Sequence, residues 1–182
     1  SEPQVLNRRA IGESEAMAAA YRNALADAGI DAEQIGAADL YSCFPIAVWV
    51  AMDALGITLD DPRPLTLTGG LPFFGGPGNN YSTHGIAEMV HWLRAQPEPT
   101  YGVVGANGGY LSKHAVGVYA NMPAEFPEAA PEFKAPEVVE VVSDPEPDGV
   151  IESYTFQPRK GGARAVVVGR QLSDGRRWVG VA

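Results

Sequence analysis

This chain of 182 residues has a single cysteine and no long apolar run, which argues against internal disulfides and against insertion into a membrane. The single cysteine, Cys43, cannot form a disulfide within the chain, which is typical of a reducing compartment. No apolar run approaches the roughly 20 residues that a membrane-spanning helix needs. The first residues also lack the apolar core of a signal peptide. We therefore expect a cytoplasmic protein that does not insert into a membrane.

Positive charge is also in short supply. The chain has 13 Lys and Arg residues against 22 Asp and Glu residues, which gives a formal net charge of −9. Proteins that bind nucleic acid neutralise phosphates with Lys and Arg side chains. The charge balance therefore argues against a nucleic-acid partner.

The residues that are present indicate a globular protein with alternating helices and short strands. Hydrophobic residues make up 46% of the chain, which is enough to form a core. Apolar spacing and capping residues predict helices over Ser14–Ala28, Ile46–Leu55 and Thr83–Ala95. Short apolar runs predict strands over 38–44, 65–67, 101–104 and 115–119. This order predicts an α/β fold in which helices pack on a mixed sheet.

Composition divides the chain into three parts. Residues 1–121 form the predicted α/β domain, and residues 122–148 are an acidic, proline-rich linker with Phe126 and Phe133 as expected anchors. Residues 149–182 form a small β module, which could begin near residue 137. Strands are predicted over 149–156, 163–170 and 178–181, because turn residues such as Asp174-Gly175 separate them.

Two glycine-rich segments are the strongest indication of a binding site. The first, residues 69–80, precedes a predicted helix and contains neither the lysine of a phosphate-binding loop nor a G-x-G-x-x-G pattern. The second, residues 105–110, follows a strand and leads into Lys113 and His114. Glycine lets a backbone approach a ligand closely. We expect the substrate-binding positions to be Gly69, Gly70, Gly75, Gly76, Gly108 and Gly109.

The polar residues around these segments are the candidates for chemistry. His84 lies at the start of the third helix, beside the first glycine segment, and Asn107 and His114 flank the second. The three histidines do not have the spacing of a metal site, so no metal is expected. His91 is expected to be structural, and Cys43 is expected to be a buried small residue rather than a nucleophile.

The order of these segments resembles the C-terminal half of the thiolase superfamily, closest to the sterol-carrier-protein type and its mycobacterial thiolase-like relatives. The resemblance covers roughly residues 10–120 and rests on order and spacing rather than on any one motif. It implies a layered thiolase-type half-fold with helices packed on a mixed sheet, a coenzyme A thioester as substrate, and no covalently bound cofactor. The β-rich tail resembles the small OB-like module attached to some thiolase-like proteins.

The residues that carry thiolase chemistry differ at each matching position. The family's Asn or His at the start of N-E-A-F or H-D-C-F corresponds to Tyr41 in Tyr41-Ser42-Cys43-Phe44. The oxyanion-hole histidine of G-H-P corresponds to Gly76, and the proton-transfer cysteine of C-x-G-G corresponds to Ala106. The nucleophilic cysteine belongs to the N-terminal half, which we expect this chain to lack. The resemblance thus implies a catalytic set of Tyr41, His84, Asn107 and His114, and an isolated chain that is inactive.

Three functions remain open at the level of sequence. The chain could be part of an acetyl-CoA acetyltransferase of lipid metabolism with an altered site, a non-catalytic CoA-binding or assembly module, or a retro-aldolase subunit that uses Tyr41 as acid and base. The expected partners are an acyl-CoA and either further copies of the chain or a missing N-terminal thiolase half.

Overall fold

The computed structural model describes residues 3–123, 134 and 136–181. The described residues divide into two compact units. The first, called the α/β unit, comprises residues 12–123 and 134. The second, called the β unit, comprises residues 3–11 and 136–181. The predicted anchors Phe126 and Phe133 lie outside the described residues.

The helices of the α/β unit begin and end at the residues that helix capping favours. They are α1 (Glu15–Ala28), α2 (Pro45–Leu55), the single turn α3 (Leu71–Phe74) and α4 (Tyr81–Arg94). The Ser14 hydroxyl accepts the Met17 amide at the start of α1. Gly29 and Gly56 end α1 and α2 in the left-handed conformation that glycine adopts without strain. These boundaries confirm the predicted helices to within two residues.

The sheet of the α/β unit contains three strands in the order β1-β2-β3. They are β1 (Ile35–Asp39), β2 (Tyr101–Gly108) and β3 (Lys113–Ala120). Strand β2 is parallel to β1 and antiparallel to β3. The mixed sheet, with helices packed on it, confirms the predicted α/β class.

Helices cover both faces of this sheet. Helix α1 contacts α2 and β3, whereas α4 contacts β1 and β2. A Cβ atom at Gly105 would meet the Tyr21 hydroxyl of α1, and one at Gly102 would meet Met89 of α4. Side chains alternate along a strand, so odd-numbered residues of β2 face α1 and even-numbered residues face α4. Two separate apolar cores result.

Several sequence predictions were wrong in detail. The second glycine segment is not a loop, because Ala106, Asn107 and Gly108 extend β2 and form a hairpin with β3. The predicted strand over 38–44 ends at Asp39. Residues 65–67 form no strand, although the carbonyls of Pro64 and Leu65 accept amides from the end of β1 and from Leu40. Helix α2 is not buried all round, because Ile46 and Trp49 are exposed.

The β unit is a four-stranded sheet in the order β4-β7-β6-β5. Its strands are β4 (Val141–Val142), β5 (Gly149–Arg159), β6 (Gly162–Gln171) and β7 (Arg177–Val181). The three long strands confirm the predicted ones, with β5 continuing three residues further than expected. Strand β4 lies within the segment that was predicted to be a linker.

The centre of the β unit is polar rather than apolar. None of the fully buried hydrophobic residues in the described part of the chain belongs to this unit. Its buried side chains are those of Arg8, Gln171 and Arg177. The Trp178 ring packs over Gly169, and its buried Nε1 donates to no described residue. The fully buried interior of this unit is therefore formed by polar and charged side chains and their hydrogen bonds.

The described residues contain neither a membrane-spanning helix nor a cluster of metal ligands. None of the helices within residues 3–123, 134 and 136–181 is both long and apolar enough to cross a bilayer. No three His, Cys, Asp or Glu side chains of that same part lie together as a metal site would require.

Candidate functional site

The glycine-rich loop lies where β1 ends and α4 begins. The Ser42 hydroxyl, three residues beyond β1, accepts the Leu71 amide at 2.9 Å. A Cβ atom at Gly70 would lie 3.1 Å from the same hydroxyl, so glycine permits this close approach. Strand β2 runs parallel beside β1, and the carboxyl ends of such strands are a common ligand position.

A buried carboxylate holds the loop in place. Asp39, the last residue of β1, is fully buried. Its Oδ2 accepts hydrogen bonds from the Leu67 amide (2.8 Å), from the Thr68 amide (3.1 Å) and from the hydroxyls of Thr66 and Thr68. Its Oδ1 accepts the Tyr81 hydroxyl at 3.0 Å. Asp39 thus joins the sheet, the loop and the start of α4.

Aromatic side chains surround the start of α4. The Tyr81 ring meets the Tyr41 ring edge-on, with centroids 5.5 Å apart, and the Phe74 ring at 6.0 Å. Phe74 also packs against His84 at 5.2 Å. Two predicted residues, Tyr41 and His84, are therefore connected through Tyr81 and Phe74. The cluster offers ring faces and edges, which suit an apolar group.

Most amides of the loop are already used inside the protein. Those of Gly69 and Gly70 donate to the hydroxyls of Thr66 and Thr68, and that of Gly75 donates to the Leu71 carbonyl. Gly76 is different, because its amide donates to none of the described residues. Of the four glycines predicted in this loop, Gly76 is the one with a main-chain donor left for a ligand.

The other two predicted catalytic residues lie on the opposite face of the sheet. Asn107 and His114 are directly opposed in the β2–β3 hairpin, with 3.1 Å between Asn107 Oδ1 and His114 Nδ1. His114 Nε2 lies 3.2 Å from the Ser14 hydroxyl and 3.1 Å from the Leu111 carbonyl. Asn107 is an odd-numbered residue of β2 and so faces α1. The four predicted residues therefore form two pairs, separated by the sheet.

The Ser14, His114 and Asn107 side chains have the connectivity of a serine-hydrolase triad. The Asn107 side-chain oxygen and the Leu111 carbonyl can only accept, so each favours a proton on the His114 nitrogen that it faces. A general base would need Nε2 without a proton to take the Ser14 proton. The Ser14 oxygen also accepts the Met17 amide as the cap of α1. These contacts connect the hairpin to α1.

The position that matches the proton-transfer cysteine of thiolases has no thiol, and the thiol of Cys43 is poorly ionised. Ala106 is even-numbered and faces α4, so it lies on the same side of the sheet as Tyr81 and has a methyl group where the thiolase pattern has a cysteine. Cys43 lies just before α2 and is exposed as a residue. Partial burial of its thiol raises the pKa of Cys43, which leaves less of the reactive thiolate.

Two tyrosines near Asp39 are held in the neutral form. Burial and the nearby Asp39 carboxylate raise the pKa of Tyr21 far above its ordinary value of 10.0. Burial and Asp39 likewise raise the pKa of Tyr81, although its bond with Thr68 opposes them. Both hydroxyls therefore keep their protons at neutral pH, and that of Tyr81 donates to Asp39.

The raised pKa of Tyr21 predicts alkaline sensitivity. A pKa that is higher in the folded state gives stability that is present below pH 10 and lost as the pH rises further. We expect the free energy of unfolding to fall above about pH 10. The free energy of unfolding of the Tyr21→Phe variant should fall less steeply over the same pH range. Urea titrations at a series of pH values would measure both slopes. Parallel slopes for the two proteins would show that Tyr21 does not carry this dependence.

Two cavities of the α/β unit lie away from the aromatic cluster. One of about 630 Å³ is lined by the last turn of α4 and the end of β3, including Arg94, Tyr119 and Asn121. Another of about 200 Å³ lies beside Ser14, Val50 and Asp53. Neither of these two cavities is lined by Tyr41 or His84.

Comparison with solved structures identifies the architecture. The chain superposes on the crystal structure of a monomeric SCP2-thiolase like protein type 1 from Mycobacterium smegmatis with a TM-score of 0.86 and 42% sequence identity. The chain has an SCP2-thiolase-like fold. The match covers 99% of this chain but only 41% of the mycobacterial protein. No protein-family model and no curated protein matches the chain.

The SCP2-thiolase-like fold confirms the layered α/β interpretation drawn from the segment order. Sequence reasoning missed Asp39, Tyr81 and Phe74, which organise the site. A signal for Asp39 was present, because an aspartate that ends an otherwise apolar strand is buried only when it has partners. No local pattern indicated that those partners would be Thr66, Thr68 and Tyr81.

Proposed function

We propose that this chain is the C-terminal part of a thiolase-like protein and that its glycine-rich loop and aromatic cluster bind an acyl-CoA thioester. The observation that carries the proposal is the convergence of Tyr41, Tyr81, Phe74 and His84 on that loop, in an SCP2-thiolase-like fold. The ring surfaces would contact the acyl chain. The Gly76 amide would donate to the thioester carbonyl.

Acetyl transfer by a longer protein would need reactive groups that this chain does not supply. Its single cysteine has a raised pKa, Ala106 has no acidic proton, and Gly76 offers one donor where an oxyanion hole uses at least two. We infer that the chain alone does not catalyse thiolysis or condensation. Any acyl transfer in lipid metabolism would depend on groups from outside these 182 residues.

An exposed apolar surface supports a second half of the fold as the partner. Phe44 is 67% exposed and Trp49 is 56% exposed at the start of α2, and Phe73 of α3 is 89% exposed. Large apolar side chains in such numbers mark an interaction surface. We propose that an N-terminal thiolase half covers them, which also supplies the missing nucleophile. Assembly with further copies of the chain is the alternative occupant.

Two further functions each have one observation in their favour. A non-catalytic CoA-binding or assembly module is favoured by Ala106 and Gly76, which stand where the thiolase pattern has a cysteine and a histidine. A retro-aldolase that acts on a β-hydroxyacyl-CoA is favoured by the contact of Tyr41 with Tyr81, whose hydroxyl donates to Asp39. We further propose that the β unit is an OB-like module, which is compatible with both of these functions.

Calorimetric titration with acetyl-CoA and a longer acyl-CoA tests the proposed site. We expect saturable binding that is stronger for the longer chain, because each buried CH₂ contributes about 0.8 kcal/mol. His84→Ala should weaken it by removing one wall of the cluster. His91→Ala is the matched control, since His91 is exposed on the same helix. Asn107→Ala, on the other face of the sheet, should leave the affinity unchanged.

The outcomes separate the competing functions. If His84→Ala and His91→Ala bind acyl-CoA with equal affinity, the ligand does not bind at the aromatic cluster. Loss of binding in Asn107→Ala alone would place it on the α1 face instead. Binding without thiolysis in an assay of released CoA agrees with the proposal, whereas release of CoA by the pure chain would show that it holds a complete active site.

A further inference from the structure

Asp39 is a buried negative charge whose partners are all hydrogen-bond donors. It is fully buried, and none of the described Lys or Arg side chains forms an ion pair with it. Both oxygens only accept, and they receive two main-chain amides and three hydroxyls. Five donors and no acceptor are the surroundings that an ionised carboxylate requires.

The donors belong to one short stretch of backbone. Thr66, Leu67 and Thr68 turn their amides or hydroxyls toward Asp39 Oδ2, at distances from 2.8 to 3.2 Å. Successive amides aimed at one point form the concave arrangement that binds anions in other proteins. Gly85 of α4 leaves room for the second oxygen, because a Cβ atom there would lie 3.0 Å from Asp39 Oδ1.

We propose that the Asp39 carboxylate occupies an anion-binding concavity formed by residues 66–68, immediately before the glycine-rich loop, so that an anion of the protein itself shapes the loop and the adjoining ligand site accepts an uncharged group. The identity of the ligand rests on the proposed function. The effect of Asp39 on the loop rests only on the observed hydrogen bonds.

The carboxylate positions the aromatic cluster as well as the loop. Tyr81 donates to Asp39 Oδ1 and lies 2.6 Å from the Thr68 hydroxyl, and its ring contacts Tyr41 and Phe74. Asp39 is therefore a positioning residue that acts through Tyr81. A thioester carbonyl and an acyl chain are uncharged and fit beside it. A phosphate or carboxylate would meet both a filled position and a like charge.

Chemical rescue tests this assignment without any CoA ligand. Asp39→Ala leaves five donors facing an empty position that acetate can fill. We expect the Leu67 and Thr68 amides to exchange hydrogen about tenfold faster or more in this variant. Added acetate should restore their protection and raise Tm in a saturable way. Chloride at the same ionic strength should not.

The controls separate anion replacement from general stabilisation. Asp39→Asn loses the charge but keeps the volume, so it should show faster exchange that acetate does not restore. The unmodified chain should not respond to acetate at all. Acetate protection of the unmodified loop would overturn the proposal, and so would an Asp39→Ala variant whose exchange acetate leaves unchanged.

A second measurement covers failure of the variant to fold. If Asp39→Ala is unfolded in buffer, the yield of refolded chain should rise with acetate and not with chloride. Thr66→Val is a milder change that removes one hydroxyl donor, and it should accelerate exchange at Gly69, whose amide donates to that hydroxyl. Unchanged exchange at Gly69 together with acetate-independent refolding would refute the role of Asp39. Failure of the acyl-CoA titration would leave these results unaffected.

Discussion

Arg177→Met is expected to destabilise the β unit by about 2–4 kcal/mol, while the α/β unit keeps its structure. The Arg177 guanidinium is fully buried and bonds to both Glu152 oxygens, the nearer at 2.5 Å. It also donates to the carbonyls of Leu6 (2.5 Å), Arg8 (2.7 Å) and Arg9 (3.4 Å). Methionine fills similar space but donates no hydrogen bond, so the Leu6 and Arg8 carbonyls and Glu152 Oε2 lose this donor.

The reason for so large an effect is the lack of compensation. Burial alone would raise the pKa of Glu152, but its bonds with Arg177 and Arg170 outweigh burial and lower it. Without Arg177 the carboxylate keeps one partner, Arg170, at 2.8 Å. The Arg8 carbonyl also loses a charged donor at a buried contact, and a hydrogen bond to a charged group contributes about 1.5–3 kcal/mol. The described residues of this unit form no apolar core that could offset the loss.

Arg176→Met provides a matched control one residue away. The Arg176 side chain is 39% exposed and pairs with Asp174 at the surface, so its loss should destabilise the unit far less than the loss of Arg177. Hydrogen exchange of β5, β6 and β7 in the two variants, measured with urea unfolding, makes the comparison. Equal losses of protection in the two variants would mean that Arg177 does not hold the unit together.

Gly102→Ala is expected to destabilise the α/β unit by about 1–3 kcal/mol. A Cβ atom at this buried position of β2 would lie 2.0 Å from the sulfur of Met89 and 2.9 Å from its methyl carbon. Met89 is itself fully buried between α4 and the sheet. The Met89 side chain must leave its position, and the apolar core between α4 and the sheet must repack around it.

A double-mutant cycle isolates this contact. Met89→Ala alone creates a cavity, whereas Gly102→Ala in that background places a methyl group in the space that the sulfur has left. We expect the double variant to be more stable than the sum of the single changes predicts. Gly12→Ala is the control, because nothing lies within 4 Å of the added atom. Additive losses would show that the cost of Gly102→Ala does not come from its contact with Met89.

The helices and the α/β class could be predicted because their signals are local. Ser14, Pro45 and Gly56 each act within one turn of chain, and each lies at the helix boundary that it predicted. The three strands of the β unit follow from alternation and turn residues in the same way. Such features need only the residue and its near neighbours.

The site could not be predicted because its contacts are distant in sequence. Asp39 bonds to Tyr81, 42 residues away, and Arg177 bonds to Leu6, 171 residues away. The resemblance to thiolases grouped Asn107 and Tyr41 in one catalytic set. Yet the pleat of β2 directs Asn107 to the α1 face. One position of register decides which face a side chain occupies, and the sequence does not display register.

The polar centre of the β unit bears on how the protein responds to temperature. The heat-capacity change of unfolding comes mainly from apolar surface newly exposed to water, and newly exposed polar surface reduces it. The described buried hydrophobic residues all belong to the α/β unit. That unit should therefore carry most of the curvature in the stability profile. The β unit should have a flatter profile, with little tendency toward cold denaturation.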